Sequence, residues 1–131
     1  MGADASPFER TILVVDDDHV QARATVRLLK IAGFDAVPAP DIESAMTELT
    51  QRPIHVLLVD LQLGSEHGGD LVTMARRDYP ALTTILISGS APDEVEPVAK
   101  ACGATAFLTK PFDLDRLLEI IDTTVAPARA D

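Results

Sequence analysis

Four short apolar runs of the sequence each lead directly into side chains that could do chemistry. TILVV is followed by Asp16 and Asp17, VLLV by Asp60, ILI by Ser88, and FLT by Lys110. Carboxylates are ligands that a hard cation such as Mg²⁺ prefers, and an aspartate can also accept a phosphoryl group. A hydroxyl and an ammonium could match the negative charge of a transferring phosphoryl group. The set therefore predicts a phosphoryl acceptor, provided that the fold brings these side chains together.

The three consecutive carboxylates of Asp16, Asp17 and Asp18 repel one another. At about 4 Å and an effective dielectric constant near 20, each like-charge pair opposes folding by roughly 4 kcal/mol. Bound Mg²⁺ would remove that cost for Asp16 and Asp17. Asp18 is instead predicted to open the first helix, because a negative charge is favoured at a helix N-terminus.

The elements that must position these residues follow from two hydrophobic periods. Five runs have the short, two-sided apolar composition of strands in a parallel sheet, of which the second and fifth are weaker. They lie at 11–15, 34–37, 54–59, 82–87 and 104–108. Helical periodicity predicts helices at 19–32, 41–51, 69–78, 92–102 and 113–125. This alternation predicts an α/β fold, a doubly wound parallel sheet with right-handed crossovers, in which ligands bind at the carboxyl ends of the strands.

Composition restricts the class of protein. With 131 residues, 47% of them hydrophobic, the chain is expected to form one domain over 10–125, between flexible tails at 1–9 and 126–131. A net charge of −10 argues against nucleic acid or an anionic membrane as a direct partner. No apolar run approaches the roughly 18 residues of a membrane span. The single cysteine, Cys102, and the lack of a secretory signal indicate a cytoplasmic location.

The motifs at the strand ends resemble those of the receiver domains of two-component response regulators. The resemblance rests on the acidic pair in VVDD, on Asp60 after the third strand, on Ser88 after the fourth, and on the Lys110-Pro111 pair in TKPF. It covers residues 10 to 125, nearly the whole chain. It implies a flavodoxin-like fold with five βα units and the strand order 2-1-3-4-5.

The resemblance also implies what the acidic residues do. Asp60 would accept a phosphoryl group from a sensor histidine kinase or a histidine phosphotransfer protein. Mg²⁺ would be held directly by Asp17, Asp60 and the backbone carbonyl of Gln62, with Asp16 behind them. The domain would then be a signalling module and not an enzyme, acting only on its own phosphoryl group.

A conformational switch is implied by the same resemblance. Lys110 would bind the phosphate, and Ser88 would move to bond it. Phe107, three residues before the lysine, would turn inward as the hydroxyl shifts, and Pro111 would follow a cis peptide bond. Phosphorylation would thereby change the surface around the fourth helix, fifth strand and fifth helix, which an unidentified downstream protein would read.

Two stretches depart from the pattern of the family. After Asp60 the chain runs LQLGSEHGGD, with three glycines in place of the usual Met-Pro turn, so that this loop is expected to be mobile or ordered by a partner. In SAPDEVEPVAKACG, Pro97 would break a helix that begins at Pro92. A loop or turn to about Val95 and a shortened helix near Pro97 are expected instead, which puts a standard dimer through this face in doubt.

Two other functions are alternatives. A Mg²⁺-dependent aspartyl-phosphate phosphohydrolase of the haloacid dehalogenase type would use similar chemistry, but it places a second aspartate two residues after the nucleophile. That position is Gln62 in this sequence. A receiver-like docking scaffold that is never phosphorylated would not need the complete set of Asp60, Ser88 and Lys110.

Overall fold

A computed structural model describes residues 10–124 of the chain. The strands are β1 (Thr11–Val15), β2 (Asp35–Ala39), β3 (Val56–Asp60), β4 (Gln62–Leu63), β5 (Glu66–His67), β6 (Thr83–Ser88) and β7 (Ala106–Thr109). The helices are α1 (His19–Ile31), α2 (Ile42–Gln51), α3 (Gly68–Asp78), α4 (Pro92–Cys102) and α5 (Leu114–Thr124). The expected tails at 1–9 and 126–131 lie outside the described residues.

Five strands form one parallel sheet in the order β2-β1-β3-β6-β7. Because β4 and β5 pair only with each other, this is the predicted order 2-1-3-4-5, and the doubly wound flavodoxin-like fold is confirmed. The register aligns Asp60 with Ile87 in β6, and Ser88 with Thr109 in β7. The ends of β3, β6 and β7 therefore meet at one edge of the sheet.

Both faces of the sheet are covered by apolar side chains, as the two-sided composition of the strands predicts. On one face, Leu13 and Leu57 pack in a core that includes Leu71 of α3. On the other, Ile12 packs in a core that includes Leu117 of α5. All these side chains are fully buried, or 1% exposed in the case of Leu117. The central strands thus form a rigid base for the residues at their ends.

Three of the helices start at an aspartate, as predicted for Asp18 at the start of α1. The Oδ1 of Asp18 accepts hydrogen bonds from the backbone N–H groups of Val20 and Gln21 at the start of α1. Asp113 accepts one in the same way at the start of α5. Asp41 opens α2, where hydrogen bonds from Ser44 hold its pKa below the ordinary value. No helix in the described range is both long and apolar enough to cross a membrane.

The prediction of a shortened fourth helix is wrong. Helix α4 begins at Pro92, and Pro97 lies inside it. Pro92 occupies the first turn, where its missing N–H costs nothing, and the carbonyl of Ala91 accepts hydrogen bonds from the next turn. Val95 and Ala99 are buried on either side of Pro97. Burial of this apolar face therefore outweighs the hydrogen bond that Pro97 cannot donate.

The glycine-rich stretch after Asp60 also differs from its expectation, because the chain itself orders it. Residues 62–63 and 66–67 pair as the antiparallel hairpin β4–β5. Glu66 accepts a hydrogen bond from the N–H of Ile42 in α2, and His67 Nδ1 accepts one from Gly69 at the start of α3. Gly68 is needed at this point, since a Cβ there would overlap the carbonyl oxygen of Asp60. The hairpin thus ties the end of β3 to two helices.

Candidate functional site

The predicted site residues converge on one cavity at the carboxyl ends of the strands. Its volume is about 390 Å³. It is lined by Asp16, Asp17, Asp18, Gln21, Asp60, Gln62, Ser88, Gly89, Ser90 and Lys110. The structure therefore brings together every predicted site residue except Phe107, which lines a separate cleft of about 880 Å³ beside α4, β7 and α5.

Asp60 and Lys110 form the central contact of the cavity. The Nζ of Lys110 donates to Oδ2 of Asp60 at 2.6 Å, and the backbone N–H of Gln62 donates to Oδ1 at 3.0 Å. The Asp60 side chain is only 13% exposed and that of Lys110 is 34% exposed. A charge-assisted hydrogen bond of this length is strong for a protein. Asp60 is thus held in a fixed orientation with both oxygens engaged.

Asp16 lies behind the mouth of the cavity and is half-buried. Its Oδ1 accepts a hydrogen bond from the N–H of Asp18 at 2.9 Å. Burial raises the pKa of the Asp16 carboxyl, and the negative charges of Asp60 and Asp17 act in the same direction. The hydrogen bond from Asp18 and the Lys110 ammonium oppose this change without cancelling it. The Asp16 carboxyl is therefore harder to ionise than an ordinary aspartate.

Asp17 is exposed at the mouth of the cavity, beside the hairpin. A Cβ placed on Gly64, at the tip of the hairpin, would lie 3.6 Å from Oδ2 of Asp17. Within the described part of the chain, the Asp17 carboxylate accepts no recorded hydrogen bond, unlike those of Asp16 and Asp60. Its oxygens are therefore available to a ligand from outside the protein.

The donor chemistry of the cavity fits Mg²⁺. Among residues 10–124, no group of three or more His, Cys, Asp or Glu side chains is arranged to form a metal site by itself. Mg²⁺ does not need one, because it takes one or two carboxylates and keeps several waters. The carboxylates of Asp17 and Asp60 line the same solvent-open cavity and fit that requirement.

The two predicted switch residues, Ser88 and Phe107, lie on the neighbouring strands β6 and β7. Ser88 is buried at the end of β6, where its Oγ accepts a hydrogen bond from the N–H of Ser90 at 3.0 Å. The carbonyl of Ser88 accepts one from the N–H of Lys110 at 2.7 Å. Phe107 is half-buried in β7, aligned with Leu86. The peptide bond between Lys110 and Pro111 is cis, as expected.

A family model for the response regulator receiver domain matches residues 12–122. The chain belongs to the response regulator receiver domain family. Its relatives include the nitrogen assimilation regulatory protein NtrX of Azorhizobium caulinodans, 31% identical over 120 residues, and the regulatory protein VirG of Rhizobium rhizogenes, 36% identical over 104. The matches cover 90% and 77% of this chain but only 26% and 42% of those regulators.

Solved receiver structures agree with the fold. A response regulator receiver protein from Pseudomonas putida superposes with a TM-score of 0.81 at 34% identity, over 92% of this chain and 99% of that one. A response regulator from Burkholderia pseudomallei, solved with a phosphorylated aspartic acid, a calcium ion and citrate, gives a TM-score of 0.79 at 25% identity. That match covers 86% of this chain and 66% of the other. This chain is thus a receiver domain of the two-component type.

Gln21 was not predicted from the sequence as a residue of the receiver cavity. Gln21, in the first turn of α1, places its Oε1 at 3.3 Å from the Nζ of Lys110. The two residues are 89 positions apart. The only signal in the sequence is indirect, because Gln21 lies three positions after the helix cap Asp18 and so in the turn that faces the strand ends.

The raised pKa of Asp16 gives a prediction for the receiver domain without metal. The folded protein holds this proton more tightly than the unfolded chain, so the free energy of unfolding falls as pH rises from the ordinary aspartate range through the raised pKa. Asp16→Asn removes the ionisation, yet its amide oxygen can still accept from Asp18. With chelator present, we expect the variant to melt about 3 °C above wild type near neutral pH.

This difference should shrink as the pH is lowered through the same range, and thermal unfolding followed by circular dichroism measures it. Asp18→Asn is the matched control, because Asp18 is exposed and caps a helix. An Asp16→Asn variant that melts at or below wild type in the absence of metal at neutral pH would contradict the assignment.

Proposed function

We propose that this receiver domain accepts a phosphoryl group on Asp60 and signals in the cytoplasm through the changed surface of α4, β7 and α5. The donor is the phosphohistidine of a sensor histidine kinase or of a histidine phosphotransfer protein. The observation that carries the proposal is the Asp60 carboxylate, fixed at 2.6 Å from the Lys110 ammonium in a cavity that is open to solvent and also lined by Asp16 and Asp17.

The transfer step requires little covalent chemistry from the protein. An Asp60 oxygen attacks phosphorus, the P–N bond of the phosphohistidine breaks, and the donor imidazole leaves with the electron pair and is protonated. Lys110, already at the carboxylate, matches the negative charge of the transferring group. When bound, Mg²⁺ would supply further positive charge against the phosphoryl oxygens. The residues to hold it are Asp17, Asp60 and the carbonyl of Gln62, with Asp16 behind them.

A change at Asp60 can reach the distant face of the domain through two neighbouring strands. Ser88 and Thr109 are aligned in register, and Phe107 lies two residues earlier in β7. When the Ser88 hydroxyl turns to bond the phosphoryl group, Phe107 turns inward and alters the wall of the cleft of about 880 Å³. Phosphorylation then biases two conformations that already exist, and a downstream protein binds one of them.

Helix α1 is the surface on which the donor docks. Val20 and Ile31 are 78% and 75% exposed, and Leu28 is 48% exposed, which is unusual for large apolar side chains on a monomer. Arg23 and Arg27 lie among them. Because α1 starts at the cavity itself, a partner helix lying along it can present a phosphohistidine to Asp60. The basic side chains select an acidic partner surface in a domain whose net charge is −10.

A phosphohydrolase of the haloacid dehalogenase type needs a second aspartate after the nucleophile, and this chain lacks it at that position. The position two residues after Asp60 is Gln62, and its backbone N–H donates to Oδ1 of Asp60. Within the described residues this position therefore orients the acceptor and supplies no second carboxylate. The alternative of a silent docking scaffold leaves the engaged Asp60, Lys110 and Ser88 without a purpose, since a scaffold gains nothing from their burial.

The phosphoacceptor is tested with a small donor. Wild-type protein incubated with Mg²⁺ and acetyl phosphate is expected to gain one adduct of about 80 Da, the mass of a phosphoryl group, by intact-protein mass spectrometry. Asp60→Asn should gain none, because an amide cannot form the acyl phosphate. Asp70→Asn, an exposed aspartate on α3, is the control and should label as wild type does. Absence of an adduct on wild type, or labelling of Asp60→Asn, would refute the proposal.

The metal site is tested separately by thermal unfolding. A ligand that binds only the folded state at ten times its dissociation constant stabilises that state by about 1.4 kcal/mol. We therefore expect Mg²⁺ to raise the melting temperature of wild type in a concentration-dependent manner. Asp17→Ala should lose this increase, whereas Asp18→Ala should keep it despite its weaker helix cap. An equal Mg²⁺ response in Asp17→Ala and wild type would exclude Asp17 as a ligand.

The docking surface is tested by comparing two donors. The donor in this test is the phosphorylated histidine phosphotransfer protein that transfers fastest to wild type among a panel of such proteins. Ile31→Glu places a charge in the apolar patch and should slow transfer from this donor by about ten-fold or more. Labelling by acetyl phosphate should be unchanged, because that donor needs no docking surface. Met74→Glu, which alters an exposed apolar side chain on α3, is the matched control. Equal rates for Ile31→Glu and Met74→Glu would show that the donor docks elsewhere.

A further inference from the structure

Gln21 is the one neutral side chain recorded in contact with the Lys110 ammonium among the described residues. Its Oε1 accepts from Nζ at 3.3 Å, while the same Nζ donates to Asp60 at 2.6 Å. Its own backbone is fixed, because its N–H donates to the Oδ1 of Asp18 at 3.1 Å. The side-chain amide, which is exposed, reaches from the first turn of α1 to the lining of the cavity.

We propose that Gln21 is a positioning residue that holds the Lys110 ammonium beside Asp60 and thereby sets the rate of phosphoryl transfer. The proposal rests on the function proposed above, and it adds a residue of α1 to the machinery of the site. Gln21 acts through Lys110, without touching the reacting atoms. Its contribution is to keep the cation in the place where negative charge develops.

The physical reason lies in the lysine side chain. Its four-carbon stem is flexible, and Lys110 is one-third exposed, so a single ion pair leaves the ammonium other positions to occupy. A second acceptor on the α1 side restricts the ammonium to the space between Gln21 and Asp60. Electrostatic stabilisation of a transition state depends on such preorganisation, because a charge that must first move into place loses part of its effect.

The neutrality of the second acceptor matters as much as its position. A carboxylate at position 21 would also hold Lys110, but it would share the positive charge that the phosphoryl group needs. It would add another negative charge to a cavity that already contains Asp16, Asp17 and Asp60, and so repel an anionic donor. An amide holds the ammonium without either penalty.

The hold on Lys110 can be measured without phosphorylation. The chain contains three lysines, Lys30, Lys100 and Lys110, so reductive methylation followed by peptide mass spectrometry gives the relative reactivity of each amine. In Gln21→Leu, methylation of Lys110 relative to the other two should rise about three-fold, because one hydrogen bond is lost. Gln21→Glu should keep Lys110 as protected as in wild type, or more. An unchanged Lys110 in Gln21→Leu would overturn the proposal.

The effect on phosphoryl transfer is measured with acetyl phosphate, which bypasses donor docking. Initial labelling rates of both Gln21→Leu and Gln21→Glu should be about five-fold below wild type, equivalent to roughly 1 kcal/mol. Gln51→Leu, the same change at an exposed helix end away from the cavity, should match wild type. The two Gln21 variants are thus expected to slow transfer alike, while only Gln21→Leu makes Lys110 more reactive.

That split separates positioning from a merely structural role. Loss of structure would lower the melting temperature and change both readouts in the same direction in both variants. Wild-type labelling rates in Gln21→Leu, with Lys110 released, would overturn the link between the hold and the transfer. If wild type itself takes no label, the proposed phosphoacceptor function fails, whereas the methylation result still decides whether Gln21 holds Lys110.

Discussion

The ion pair between Asp60 and Lys110 is the interaction on which the site depends. Three carboxylates at one sheet edge repel one another, and the ammonium at 2.6 Å from Asp60 is the positive charge that the described chain places among them. It leaves Asp17 exposed and uncompensated, and it leaves Asp16 with a raised pKa. The mouth of the cavity therefore carries excess negative charge, which favours the binding of a cation.

The sheet makes this unfavourable arrangement tolerable. Strands β1 and β3 are buried on both faces, so the chain cannot relieve the repulsion by moving Asp16 or Asp60 outward without exposing apolar side chains such as Leu13 and Leu57. On one side Gly68, directly after the β4–β5 hairpin, lies against the carbonyl of Asp60 and donates its N–H to the carbonyl of Leu61. On the other side lies the Ser88 hydroxyl, which can rotate about its side-chain bond. One half of the site is thus rigid and the other half adjustable.

The sequence predicted the parts of this arrangement that depend on local pattern. Apolar runs predicted the strands, and because parallel strands end at one edge, the convergence of Asp60, Ser88 and Lys110 followed. The prediction of a shortened helix α4 was wrong. Proline disfavours a helix through local geometry at Pro97, whereas the burial of Val95, which stabilises the helix, depends on the whole fold. The hairpin was missed for a related reason. Its order comes from Glu66 and His67, whose partners are set by tertiary structure.

Gln21 illustrates why a contact can serve the site and yet carry only an indirect signal in the sequence. A glutamine in the first turn of a helix is ordinary, and its partner Lys110 is 89 positions away. What gives the residue its place is the helix cap: Asp18 fixes the start of α1, and this fixes which side chain of the first turn faces the strand ends. The third aspartate of the acidic run therefore serves the site as well as the helix, because it aims the residue that holds the lysine. A helix start defined by one carboxylate thus orients the cation that the other carboxylates require.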